Sequence, residues 1–79
     1  MKIRLSGIKS IAIEGEYIKL DSLLKYASIV SSGAEAKHII KSGNVFVRGD
    51  LCTERGKKIR PGDIVRYKEN VLMLRRAVL

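Results

Sequence analysis

Ser32-Gly33-Ala34-Glu35-Ala36-Lys37-His38-Ile39-Ile40-Lys41-Ser42-Gly43-Asn44-Val45-Phe46-Val47-Arg48-Gly49-Asp50 changes its hydrophobic period partway along, from helical to extended. Ser32 to Glu35 reads as a capping box, in which the Ser32 hydroxyl accepts from the Glu35 N–H and the Glu35 carboxylate reaches back to the Ser32 N–H. Ala36, Ile39 and Ile40 then share one helical face, and Gly43 supplies a left-handed residue to end the helix, so a helix is predicted over roughly Gly33 to Ser42. Beyond Gly43, Val45 and Val47 alternate with Phe46 and Arg48. Gly49-Asp50 is expected to provide the φ > 0 residue and polar turn of a hairpin.

Toward the N-terminus, Leu20, Leu23, Leu24 and Ala27 lie at i, i+3, i+4 and i+7 and define a first helix, with Asp21 or Ser22 expected as its N-cap. Glu14-Gly15-Glu16 reads as a turn, and residues 2–5 and 10–14 as one or two short strands joined around Gly7. Toward the C-terminus, Leu51 to Thr53 return from the hairpin and Glu54 to Lys58 form a basic loop. Pro61-Gly62 fits the centre of a type II turn. A strand follows over Ile64 to Tyr67, then punctuation at Glu69-Asn70, then a last strand over Val71 to Val78 that the pair Arg75-Arg76 is expected to interrupt. Two short helices amid several strands make an α+β fold.

The chain has 79 residues, which reads as one domain, because a chain this short buries only about 60% of its unfolded surface. Its 46% apolar content fits a folded protein. With Tyr17, Tyr26, Phe46 and Tyr67 as the only aromatics and no Trp, the core is expected to be Leu, Ile and Val. Cys52 is alone, so no intramolecular disulfide forms and a reducing compartment is the simplest assumption. Met1 to Leu5 carries Lys2 and Arg4 and lacks the long apolar run of a signal peptide or membrane span, which points to the cytoplasm. No linker, repeat or low-complexity segment is visible, and Gly-rich phosphate loops of nucleotide enzymes are missing.

Sixteen Lys and Arg face eight Asp and Glu, a net charge of +8 with an isoelectric point near 10.0. Self-repulsion on that scale destabilises a small fold, and a polyanion relieves it through counterion release. Between Lys37 and Arg60 there are seven cations against two acids, so nearly half of the positive charge sits in less than a third of the chain. Lys37 and Lys41 share a helix face, and Arg55, Lys57, Lys58 and Arg60 put four cations into six residues. One His and one Cys make neither a metal site nor a nucleophile–base pair, so no cofactor, metal or catalytic residue is expected.

Lys19-Leu20-Asp21, Ser32 with Ala36, Ile39-Ile40, Gly43, Val45, Val47, Gly49 and Pro61-Gly62-Asp63 together resemble the RNA-binding domain named after ribosomal small-subunit protein S4, over about residues 18–68. Ser32-Gly33-Ala34-Glu35-Ala36-Lys37 and Arg55-Gly56-Lys57-Lys58-Ile59-Arg60-Pro61-Gly62-Asp63 are similar to the small stand-alone bacterial members often called YaaA-like. The resemblance implies two short helices packed on a small, mainly antiparallel sheet, the αL RNA-binding motif, here with short N-terminal strands. It also implies a basic surface, formed by the helix pair and the adjoining β-loop, that grips folded RNA.

Carried onto this chain, the RNA-binding residues are Lys19, Lys37 and Lys41 on the helical side and Arg48, Arg55, Lys57, Lys58 and Arg60 on the hairpin side. Lys25, Ser32, Gly33 and His38 are further candidate contacts. The chain departs from the broader family at Gly33, where Arg is frequent, and at Arg48, where Asn is frequent. Gly33 invites close approach of a phosphate to a helix N-terminus. Tyr17 and Tyr26 are read as core or rim rather than stacking platforms, which favours recognition of RNA shape and backbone over base sequence. Asp21 and Ser32 are read as caps, and Asp63 as a turn or strand-start residue.

The expectation is therefore a non-enzymatic, monomeric, cytoplasmic RNA-binding protein without a small-molecule substrate or membrane contact. The resemblance implies ribosomal RNA, that of the large subunit by analogy, with a role in ribosome assembly or translation. A DNA-associated replication or repair factor, and a basic protein-interaction module, stay open as alternatives.

Overall fold

The computed structural model describes residues 7–77. In chain order the elements are β1 (Ile8–Ile13), β2 (Ile18–Lys19), α1 (Leu20–Tyr26), α2 (Gly33–Lys41), β3 (Val45–Val47), β4 (Asp50–Leu51), β5 (Lys58–Ile59), β6 (Ile64–Tyr67) and β7 (Asn70–Arg76). Five strands form one sheet in the order β1-β7-β6-β3-β4, and β2 with β5 forms a separate two-stranded ladder. All pairings are antiparallel except β1 with β7, which is parallel.

Alternation in the strands puts Val45, Val47, Val65, Leu72 and Leu74 on the buried side of the sheet. They join Leu20, Leu23 and Leu24 of α1 and Ala36, Ile39 and Ile40 of α2 in one apolar cluster, closed from the side by Ile59 of β5. The core is Leu, Ile and Val with two alanines, as the aromatic-poor composition predicts. Residues 18–20 and 57–59 form the seam between ladder and helices.

Several local readings hold. Ser32 is the N-cap of α2, its Oγ accepting from the Glu35 N–H at 3.1 Å, and Gly43 follows the C-cap with φ of +81°. The Pro61-Gly62 turn closes with the Asp63 N–H donating to the Arg60 carbonyl at 3.0 Å, and Gly62 has the positive φ that type II requires.

Other readings are corrected. Helix α1 begins at Leu20 with Lys19 as N-cap, not at Asp21 or Ser22, because its first N–H groups find partners outside the helix. Glu35 reaches back to Ser31, at 2.9 Å to the N–H and 3.2 Å to the hydroxyl, rather than to the Ser32 N–H. In the hairpin, Val47 pairs with Asp50, so the two-residue loop is Arg48-Gly49 and not Gly49-Asp50. Both loop residues have positive φ, 51° and 86°, which is the type I′ geometry that matches strand twist.

The strand expected over residues 10–14 starts earlier, at Ile8. There Gly7 lies so close to the Glu69 carbonyl that any Cβ would collide with it. The strand expected over residues 2–5, and Val78 of the last strand, lie outside the described residues. Arg75 and Arg76 do not interrupt β7; they are its final residues, and the Arg75 Nε donates to the Ser10 hydroxyl at 3.0 Å.

Candidate nucleic-acid interface

The segment from Glu54 to Arg60 is fixed to α1 by backbone, not left as a free loop. The Leu20 N–H donates to the Lys57 carbonyl at 2.9 Å and the Asp21 N–H to the Arg55 carbonyl at 3.0 Å. These carbonyls cap the amino end of α1, satisfying donors that every helix leaves orphaned. The Asp21 carboxylate sits in the first helical turn, accepts from the Ser22 N–H at 2.7 Å, and lies 4.0 Å from the Arg55 Nε. Helix and basic segment thus hold each other in place.

At the other end of the segment, Asp63 does the anchoring. It is 8% exposed and is the buried charged residue among those described. Its Oδ2 accepts from the Arg60 N–H at 2.8 Å, and its Oδ1 lies 3.4 Å from Nη1 of Arg48. Arg48 occupies a left-handed conformation that long side chains seldom adopt. Its guanidinium stays largely in solvent while the main chain donates to the Ile64 carbonyl at 2.8 Å.

The result is an open depression of about 380 Å³ lined by Arg48, Lys57, Lys58 and Arg60, with Glu54, Gly56 and Asp63 completing the wall. Lys19 belongs beside it, because β2 and β5 place Lys19 directly opposite Lys58. Like charges directly opposite on a strand pair repel. Of the residues read from the sequence as RNA contacts, the structure therefore gathers Lys19, Arg48, Lys57, Lys58 and Arg60 together, with Arg55 adjacent through Asp21. Lys19 and Lys58 are brought together by a ladder that joins residues 39 apart in sequence, which periodicity gives no means to see.

Lys37, His38 and Lys41 are exposed on α2, and no hydrogen bond or ion pair among the described residues ties them to this depression. Lys25 lies on α1 and lines a separate hollow with Ser28, Ser31 and Glu35. Ser32 is engaged as a cap. Gly33 is exposed, has no positive φ, and a Cβ there would meet nothing, so neither space nor backbone within the chain requires glycine. The Glu35 carboxylate already occupies this helix end.

Tyr17 and Tyr26, core or rim residues on the sequence alone, are both on the surface. Tyr26 is 65% exposed and Tyr17 40% exposed. Lys58 Nζ stands 4.9 Å from the Tyr17 ring centroid, a cation–π distance. No group of three or more His, Cys, Asp or Glu side chains among the described residues is arranged to hold a metal. Nor is any described helix long and apolar enough to cross a membrane.

Fold and surface together define a small α+β module with helices on one side of a mainly antiparallel sheet and a pre-shaped cationic depression at their seam. The family model that matches this chain is that of the S4 domain, over residues 11–74. A protein of Bacillus subtilis (strain 168), "Probable ribosome maturation protein RlbA", is 36% identical over 55 residues, which cover 70% of this chain and 78% of the relative. The chain belongs to the S4-domain family.

Proposed function

We propose that this chain is a non-enzymatic RNA-binding protein that docks on structured ribosomal RNA and assists ribosome maturation or translation. The observation that carries the reading is the depression lined by Arg48, Lys57, Lys58 and Arg60, with Lys19 beside it, built on backbone that α1 and Asp63 hold rigid. Fixing the backbone that carries these cations before binding lowers the cost of association. Phosphates of an RNA backbone supply the counter-charge that the +8 chain lacks, releasing condensed ions as they bind.

Membership of the S4-domain family supports RNA as the polyanion, and the name of the Bacillus subtilis relative supports the ribosome as the setting. The contacts fall to Lys19, Arg48, Arg55, Lys57, Lys58 and Arg60, with Lys37 and Lys41 of α2 forming a second line of cations. The large subunit is the proposed target, the cytoplasm the proposed place, and a monomer the proposed form. The depression sets four cations beside the Glu54 and Asp63 carboxylates, an arrangement suited to holding phosphates in place.

Sucrose-gradient sedimentation of a native lysate at low and at high salt tests this reading. The chain should co-migrate with a ribosomal subunit at low salt and leave it at high salt. Persistence at the top of the low-salt gradient would overturn the ribosomal assignment, and modification of RNA by the purified chain would overturn the non-enzymatic one.

A further inference from the structure

Tyr17 and Tyr26 are two of the four aromatic residues in the chain, and both lie on its surface, where they line one cleft of about 510 Å³. Its remaining wall is Ala12, Ile13, Ile18 and Ala77, with Glu14 and Gly15 at one side. A single exposed Tyr is ordinary. Two in one apolar-walled cleft, next to a concentrated cationic surface, form a site with a flat π-face and a polar edge.

We infer that this cleft receives one unpaired nucleobase of the bound RNA, stacked on Tyr26 and edged by Tyr17; the inference rests on the RNA-binding reading above. Three observations carry it. Bases stack on exposed aromatic faces regardless of sequence, and Tyr26 at 65% exposure offers such a face. Lys58 joins the cleft to the basic depression, since it lines the depression and also stands over the Tyr17 ring, so a strand whose phosphates lie in the depression passes the cleft mouth. Glu14 repels a bare phosphate but accepts from the amino and imino hydrogens of a base edge, which selects base over backbone at this position. The module then combines backbone recognition in the depression with capture of a bulged or loop base beside it.

Two short RNA duplexes, identical except that one carries a single bulged 2-aminopurine and the other is fully paired, test the inference by fluorescence titration. The chain should bind the bulged duplex about tenfold more tightly, in line with the worth of one base–aromatic stack. It should also quench the 2-aminopurine signal. Tyr26→Ala should abolish both the preference and the quenching while leaving affinity for the paired duplex unchanged, and Tyr26→Phe should restore both. Equal affinity for the two duplexes, without quenching, would overturn the stacking site and leave the RNA-binding reading standing. Failure to bind either duplex would overturn both. Competition by a free nucleoside monophosphate at the concentration of the duplex would assign the cleft to a soluble nucleotide, and would equally overturn the inference.

Discussion

Lys19 and Lys58 are register partners in the two-stranded β2–β5 ladder, so two exposed lysines project from the same face of one strand pair. Residues opposite one another on such a pair have Cβ atoms about 5 Å apart, close enough for like charges to cost stability. Lys58 Nζ stands 4.9 Å from the Tyr17 ring centroid, a contact that offsets part of that cost. Arg48, Lys57 and Arg60 crowd the same region. The fold tolerates a local excess of positive charge that an anionic partner would neutralise.

Lys19→Glu should therefore make the free protein more stable and the RNA complex weaker. Replacing repulsion with attraction across the ladder is worth about 0.5 kcal/mol. In a domain of this size that raises the melting temperature by roughly 2–4 °C. Thermal melts of wild type and variant, run beside an RNA-binding titration, check the two opposed effects. A variant that loses stability along with affinity would show Lys19 to be structural.

Asp63 joins the hairpin to the end of the basic segment. Asp63→Ala leaves the Arg60 N–H without its acceptor and Arg48 without its carboxylate, which should cost about 1.5–3 kcal/mol. Asp63→Asn should recover part of that, because an amide oxygen still accepts from the Arg60 N–H. Urea unfolding of the two variants measures the difference. Equal stability of Asp63→Ala and wild type would remove Asp63 from the frame of the site.

Ser32→Ala should destabilise the protein by about 1 kcal/mol through loss of the α2 cap. The Ser31–Glu35 contacts survive that change, so the helix should remain and only its amino end should loosen. Denaturant unfolding gives the size of the loss, and faster hydrogen exchange at the Glu35 amide gives its place.

What the sequence made legible was local. The Ser32 cap, the end of α2 at Gly43 and the Pro61-Gly62 turn each depend on residues within a few positions of one another, and each stands where its residues put it. The α1 cap was misplaced for the opposite reason. Asp21 and Ser22 look like caps, but the Arg55 and Lys57 carbonyls, more than thirty residues away, do the capping. The hairpin turn slipped by one residue because Arg48 takes the left-handed place where a smaller polar residue or glycine is usual.

Long-range pairing hid the rest. Hydrophobic period reveals a strand but not its neighbour, so neither the parallel β1–β7 pair nor the β2–β5 ladder was readable, and with the ladder went the reason that Lys19 joins the hairpin cations. The exposure of Tyr17 and Tyr26 was equally invisible, because a Tyr just before a short strand or at the end of a helix reads the same whether it faces core or solvent. The cluster of cations from Arg55 to Arg60 was legible as charge. The backbone bonds that anchor it to α1 and Asp63 were not.

The most direct test of the central claim is the salt dependence of binding between the purified chain and ribosomal RNA, for wild type and for Lys57→Ala/Lys58→Ala. With about five phosphates neutralised, the wild-type slope of log affinity against log salt should be roughly −3.5 to −4.5. Removing two cations should make it shallower by roughly 1.4–1.8. The variant should fold as wild type does, since the carbonyl of residue 57 still caps α1, with its melting temperature shifted by no more than a few degrees as the Lys19–Lys58 repulsion and the Lys58–Tyr17 contact are lost together. An unchanged affinity and slope in the folded double variant would contradict the account and remove the depression from the RNA-binding site.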